Sequence, residues 1–163
     1  MRLETGCTQI YTGNGKGKTT AALGLCFRAA GQGLRPCMVQ FIKQRHCGEH
    51  VSAERLGIEI LQGEASDVRQ GVREQLEVAR ERLSNGSCDV LVLDEILGSL
   101  RRGFVTIDEV LDLLATRPEA MELILTGRDA PQVLIEKADL VTRMDCVKHY
   151  YQRGLPARVG IEF

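Results

Sequence analysis

The sequence predicts an α/β fold, a mainly parallel sheet flanked by helices. Short apolar runs of strand length alternate with stretches whose apolar residues recur at helical spacing. One run, Val90-Leu91-Val92-Leu93, is apolar without a break, which suits a strand buried on both faces of a parallel sheet. A glycine-rich turn joins the first strand to the first helix. The 163 residues amount to one domain. The apolar fraction of 44% and the charged fraction of 26% exclude a disordered or collagen-like chain. Near balance of 21 basic and 22 acidic residues argues against general affinity for nucleic acid or an anionic membrane. Aromatics at 4%, with no Trp, argue against a base-stacking platform.

Residues 7–11 read as the first strand and residues 13–17 as the turn. Residues 18–30 read as a helix, with Ala21, Ala22, Leu25 and Ala29 on one side, stopped by Gly31-Gln32-Gly33. Residues 37–42 form the next strand, 43–52 a polar loop, and 57–61 a further short strand. Ser66 is the expected cap of a helix whose face is Val72, Leu76, Ala79 and Leu83, ended by Asn85-Gly86. After the run 90–93, Thr106-Ile107-Asp108-Glu109 has capping-box spacing and opens a helix with Ile107, Val110, Leu111 and Leu114 inward. Residues 122–125 are a strand entering Thr126-Gly127-Arg128. Residues 134–137 close a short helix, 140–141 are a last strand, and the tail from Gly154 is irregular.

The sharpest feature is Thr12-Gly13-Asn14-Gly15-Lys16-Gly17-Lys18-Thr19-Thr20, between a strand and a helix. Its second half, Gly17-Lys18-Thr19, fits Walker A; the first glycine position holds Thr12, with Gly13 one place late. Inward-pointing amides and a helix N-terminus bind phosphate oxygens. Lys18 offers a mobile ammonium, and the Thr19 hydroxyl is placed to hold Mg²⁺. A bare glycine turn is disfavoured because Lys16 and Lys18 would repel without an anion between them. A dinucleotide loop is excluded because its third glycine position is Lys18. The phosphate-binding candidates are therefore Gly13, Asn14, Gly15, Lys16, Gly17, Lys18, Thr19 and Thr20, on a single nucleotide-binding domain spanning residues 1–163.

Asp94-Glu95, directly after the apolar run, reads as Walker B. Asp94 and Glu95 join Thr19 as candidate Mg²⁺ ligands, and Glu95 is also a candidate base. Arg128 sits at another strand's carboxyl end, where open α/β sheets bind ligands, and is placed to clamp a polyphosphate. His46, Cys47 and His50 lack the spacing of a structural zinc site. Arg69, Arg73 and Arg80 read as a solvated helix face. The six cysteines form no CxxC pair and read as buried free thiols in a reducing compartment. With no apolar h-region in Met1-Arg2-Leu3-Glu4-Thr5-Gly6 and no run long enough to span a bilayer, the expected address is the cytoplasm.

From about Ile10 onward the sequence resembles the ATP:corrinoid adenosyltransferases that act on cob(I)alamin or cob(I)yrinic acid a,c-diamide. The resemblance rests on residues 11–22, a loop more specific than generic Walker A. It continues through Gln40-Phe41-Ile42-Lys43, Gly48-Glu49, Leu93-Asp94-Glu95, Arg117-Pro118, Thr126-Gly127-Arg128, Ala138-Asp139, Lys148-His149 and Gly160-Ile161-Glu162. It implies a RecA-like P-loop fold, a homodimer, ATP as co-substrate, Mg²⁺, a reduced corrinoid as substrate and an electron-donor flavoprotein as partner. It implies that Co(I) attacks the ribose C5′ and that the whole triphosphate leaves. Lys18, Glu95 and Arg128 would then be the catalytic residues. Two departures stand out. The N-terminal cover that family members often carry would be expected to be shortened here or supplied otherwise. The stretch Gln62-Gly63-Glu64-Ala65-Ser66-Asp67 carries none of the aromatics that shield the lower corrin face in many members. Two other readings also fit a phosphate loop: an ATPase or small-molecule kinase using Glu95 as base, and a non-catalytic ATP- or corrinoid-binding regulatory module.

Overall fold

A computed structural model describes residues 2–43 and 46–163. Six strands form one parallel sheet: β1 (Thr8–Thr12), β2 (Pro36–Gln40), β3 (Glu59–Gln62), β4 (Val90–Asp94), β5 (Glu122–Thr126) and β6 (Leu140–Arg143). Their spatial order is β3-β2-β4-β5-β1-β6. The helices are α1 (Lys18–Gly31), α2 (Gly48–Arg55), α3 (Val68–Asn85), α4 (Ile96–Arg101), α5 (Ile107–Thr116) and α6 (Gln132–Lys137). β1 and β4 are separated by β5, so the phosphate loop and the Asp94 carboxylate meet across one intervening strand.

Strand alternation divides the core between the two faces. Leu91 and Leu93 of β4 join Val72, Leu76, Ala79 and Leu83 of α3 and Val110 and Leu113 of α5. Val90 and Val92 point the other way, onto Ala22, Cys26 and Ala29 of α1 and Ala53 of α2. The unbroken apolar run is thus covered on both sides, and each such leucine contributes about 1.5–3 kcal/mol by leaving water. The capping box at Thr106 forms as expected, with Thr106 Oγ1 accepting from Glu109 N–H. Gly86 ends α3 at φ 62°, where glycine is at ease.

Two local expectations change. The cap of α3 is Asp67, not Ser66; its carboxylate accepts from Gln70 N–H at 2.8 Å. The polar stretch 43–52 is not all loop: α2 starts at Gly48, capped when Cys47 N–H donates to His50 Nδ1 at 3.0 Å. Residues 44 and 45 of that stretch lie outside the described residues. The arginine face is solvated as expected, with Arg69 and Arg73 exposed, and it also reaches neighbouring groups: Arg73 pairs with Glu109 of α5, and Arg69 lies over the Phe104 ring.

Candidate nucleotide site

The carboxyl ends of β1, β4 and β5 converge with the N-terminus of α1. Gly17 caps α1 at φ 118° with no side-chain acceptor, so no capping side chain takes up the first amides of the helix, the kind of helix start that can accept an anion. Gly13 takes φ 103°, and a Cβ there would come within 2.4 Å of the Met144 carbonyl. Gly15 donates its N–H to that carbonyl at 2.7 Å. The chain leaving β6 therefore runs against the loop, which explains why the first glycine comes one place later than in Walker A.

Lys18 is only 8% exposed. Its Nζ bridges the carbonyls of Gly13 at 2.8 Å and Gly15 at 2.7 Å. Lys16 turns the other way, to the Ile161 carbonyl at 3.1 Å and Glu162 at 3.7 Å. The two ammonium groups are thus kept apart by the protein itself, and the repulsion expected from the sequence does not require a bound anion. Burial lowers the Lys18 pKa; the Glu95 carboxylate opposes this and Arg128 adds to it.

The Thr19 hydroxyl donates to Asp94 Oδ1 at 2.8 Å, joining phosphate loop and Walker B strand directly. Asp94 is 1% exposed. The same oxygen accepts from the Thr126 hydroxyl at 2.7 Å, and Oδ2 accepts from Gln40 Nε2 at 3.2 Å. Burial raises the Asp94 pKa against those three hydrogen bonds. Glu95 does not share this nest. It takes a left-handed φ of 61° as the cap of α4, with its N–H donating to Thr126 Oγ1 at 2.9 Å. Its pKa is raised by burial and by the Asp94 charge, and restrained by Lys18 and Arg128. Gly98 leaves room for it: a Cβ there would lie 2.5 Å from Glu95 Oε2.

Two clefts flank Lys18. One, of about 520 Å³, lies between α1, α2 and the C-terminal residues, and is lined by Thr19, Thr20, Lys43, Glu49 and Glu162. The other, of about 440 Å³, is lined by Asn14, Gly15, Arg128, His149 and Tyr151. Lys16, Lys18 and Glu95 belong to both. Of the site residues expected from the sequence, all except Gly13 and Asp94 thus line one of these clefts, and Asp94 lies beneath them. Arg128 is exposed, on the backbone of Gly127 at φ 140°, a residue tight against Leu97. A larger cleft, of about 770 Å³, lies at the β3 edge among His50, Glu54 and residues 60–66, away from the loop.

The sequence reading missed four participants. Gln40, Thr126, Lys43 and Glu162 entered it only inside motif blocks, with no role. A lone amide ending an apolar strand was the visible sign of Gln40. Other blocks are architectural. Arg117 binds the carbonyls of Gly6 and Met121, and Asp139 accepts from Thr8 N–H, both at the opposite end of the sheet. Among the described residues no group of three His, Cys, Asp or Glu side chains is placed to hold a metal ion by itself. Thr19, Asp94 and Glu95 are hard oxygen donors of the kind Mg²⁺ takes when substrate phosphates supply further ligands.

Residues 4–163 match the family described as ATP:corrinoid adenosyltransferase BtuR/CobO/CobP. A corrinoid adenosyltransferase of Pseudomonas aeruginosa is 35% identical over 99% of this chain and 86% of its own length. That of Escherichia coli K12 is 35% identical over 98% and 87%. Corrinoid adenosyltransferase CobA of Salmonella typhimurium is 32% identical over 98% and 87%. Among solved structures, a KaiC-like protein of Pyrococcus horikoshii OT3 superposes with TM-score 0.60 at 21% identity, over 88% of this chain and 73% of that one. The RadB recombinase does so with TM-score 0.54 at 16%, over 88% and 76%. At these identities the likeness concerns the fold, which is the RecA-like arrangement of a parallel sheet between helices.

Proposed function

The chain belongs to the ATP:corrinoid adenosyltransferase family, and we propose that it transfers the 5′-deoxyadenosyl group of ATP to the Co(I) of a reduced corrinoid, releasing triphosphate. The observation that carries this reading, beyond the family match, is the Thr19–Asp94 hydrogen bond beneath a glycine loop with Lys18 folded into it.

A kinase must present the γ-phosphorus to an acceptor. Here the entire triphosphate departs, so the task is to stabilise charge growing along it. The amides of Gly13 to Thr20 cradle the phosphates in this reading. Lys18 exchanges its two loop carbonyls for phosphate oxygens, and Arg128 closes from the second cleft. Thr19, Asp94 and Glu95 would hold Mg²⁺, which supplies charge neutralisation on the triphosphate. The nucleophile needs no protein base, because Co(I) is already electron-rich. The chain's own work is alignment of C5′ with cobalt and exclusion of water. Action as a single domain in the cytoplasm, expected from the sequence, and as a homodimer with a flavoprotein electron donor, implied by the family resemblance, is part of the same proposal.

Anaerobic incubation with MgATP and chemically reduced corrinoid tests it. The expected result is the absorbance change of Co–C bond formation with one intact triphosphate per adenosyl group transferred. Release of only orthophosphate or ADP overturns it and leaves an ATPase or kinase.

A further inference from the structure

We propose that Gln40 and Gln62 are positioning residues: a hydrogen-bonded amide pair that fixes the Asp94 carboxylate for the metal-bound triphosphate and ties it to the edge strand. The inference rests on the function proposed above, since it gives those residues a purpose at the triphosphate site.

The pair follows from strand register. Gln40 of β2 lies opposite Asp94 of β4 and opposite Gln62 of β3. Partners in register on parallel strands put their side chains on one face, about 4.8 Å apart across the sheet. The three polar residues therefore form a transverse row at the carboxyl end of otherwise apolar strands. Gln40 Nε2 donates to Asp94 Oδ2 at 3.2 Å, and Gln62 Nε2 donates to Gln40 Oε1 at 2.8 Å. Beyond Asp94 the row continues to Thr126 of β5 at 2.7 Å.

The row has a direction. Glu95 N–H occupies Thr126 Oγ1, so the Thr126 proton is directed at Asp94 Oδ1. Thr19 gives its proton to the same oxygen. Oδ2 is then left to Gln40. An ionised carboxylate only accepts, so the amide nitrogen of Gln40 faces it; the Gln40 oxygen faces away and takes the amide nitrogen of Gln62. Gln40 has 0% exposure, and a buried amide is tolerated only with its polar ends paired. A strand residue that served packing alone would be apolar here, as its neighbours Met38 and Val39 are. Gln62 in turn lines the cleft at the β3 edge, so a contact there is transmitted through two amides to the carboxylate that holds Thr19.

The test is a series at Gln62, which is only half-buried, read by calorimetric binding of inorganic triphosphate to the full chain with and without Mg²⁺. Gln62→Lys keeps a donor toward Gln40 and is expected to bind like the parent. Gln62→Leu removes the donor and is expected to weaken Mg²⁺-dependent binding about threefold. Gln62→Glu can only accept; it draws the Gln40 nitrogen to itself and turns the Gln40 oxygen onto Asp94, for an expected loss of about tenfold. Binding without Mg²⁺ is expected to stay level across the series, and melting temperatures are not expected to follow that ranking. A flat series in a parent that does bind triphosphate overturns the amide pair and leaves the proposed function standing. A loss equal with and without Mg²⁺, or one that tracks melting temperature, also overturns the pair, because it marks a packing role. A parent that binds no triphosphate overturns both.

Discussion

The two flanks of Lys18 are built on opposite plans. Toward β4 the neighbours are Asp94, Thr19, Thr126 and Gln40, buried or nearly so and joined by hydrogen bonds between uncharged donors and one carboxylate. Toward solvent the neighbours are Lys16, Arg128 and Glu162, joined where they are joined at all by ion pairs. Buried hydrogen bonds are costly to leave unmade, so the inner flank is fixed before any ligand arrives. Exposed ion pairs are each weak and exchange with water and salt, so the outer flank can trade an internal carboxylate for a phosphate. Lys18 belongs to both, held by the loop carbonyls of Gly13 and Gly15 and lining the two clefts.

The variant that breaks the comparison most severely is therefore Lys18→Ala. Both flanks lose their shared cation, and affinity for ATP is expected to fall by about a hundredfold or more in calorimetric titration. ATP binding at parental strength would remove the loop from its place in the site.

Asp94→Asn tests the inner flank alone. An amide presents only one acceptor oxygen to Thr19 and Thr126 and no charge to a metal, and adenosyl transfer is expected to fall about a hundredfold. Stability is expected to move the other way. The folded pKa of Asp94 is raised by burial above its value of about 3.9 in the unfolded chain, so the folded state holds the proton more tightly. That favours folding at low pH and is lost as pH rises through the raised value. Once ionised, the buried carboxylate is a net cost, and the neutral amide removes it. The melting temperature of the variant at pH 7–8 should equal or exceed the parent's and lack the parent's decline with pH. A variant that melts well below the parent at pH 8 would show that the carboxylate holds the fold together.

This division also marks what the sequence could disclose. Lys18, Thr19 and Asp94 announce themselves because local spacing carries their meaning: a glycine loop before a helix, a carboxylate after an apolar run. The six strands and the long helices α1, α3 and α5 follow from apolar patterning alone. Gln40 does not, because one amide at the end of an apolar strand means nothing until register sets it opposite Asp94, 54 residues away. α2 hides because a cysteine and a histidine make its capping box, where serine or aspartate would have signalled a start. α4 hides because it has six residues and begins from a left-handed glutamate. The outer flank is the least legible part, since Lys16 and its partner Glu162 are 146 positions apart, at the two ends of the chain.

That outer flank gives the smallest effect. Glu162 is held by Arg158 and by the Tyr150 hydroxyl, and the Arg158 hydrogen bond before all else pulls its pKa down to about 2. It therefore stays ionised throughout the working range. Under the proposed function, a triphosphate that reaches Lys16 has to displace this carboxylate. Glu162→Gln removes the competing charge. Triphosphate is expected to bind about threefold more tightly at low salt, with the gain shrinking as ionic strength rises. Because triphosphate is the leaving product, the same variant should release it more slowly. Weaker triphosphate binding in Glu162→Gln would instead mean that the carboxylate holds Lys16 in a pose the anion needs, and the outer flank would then be as fixed in advance as the inner one.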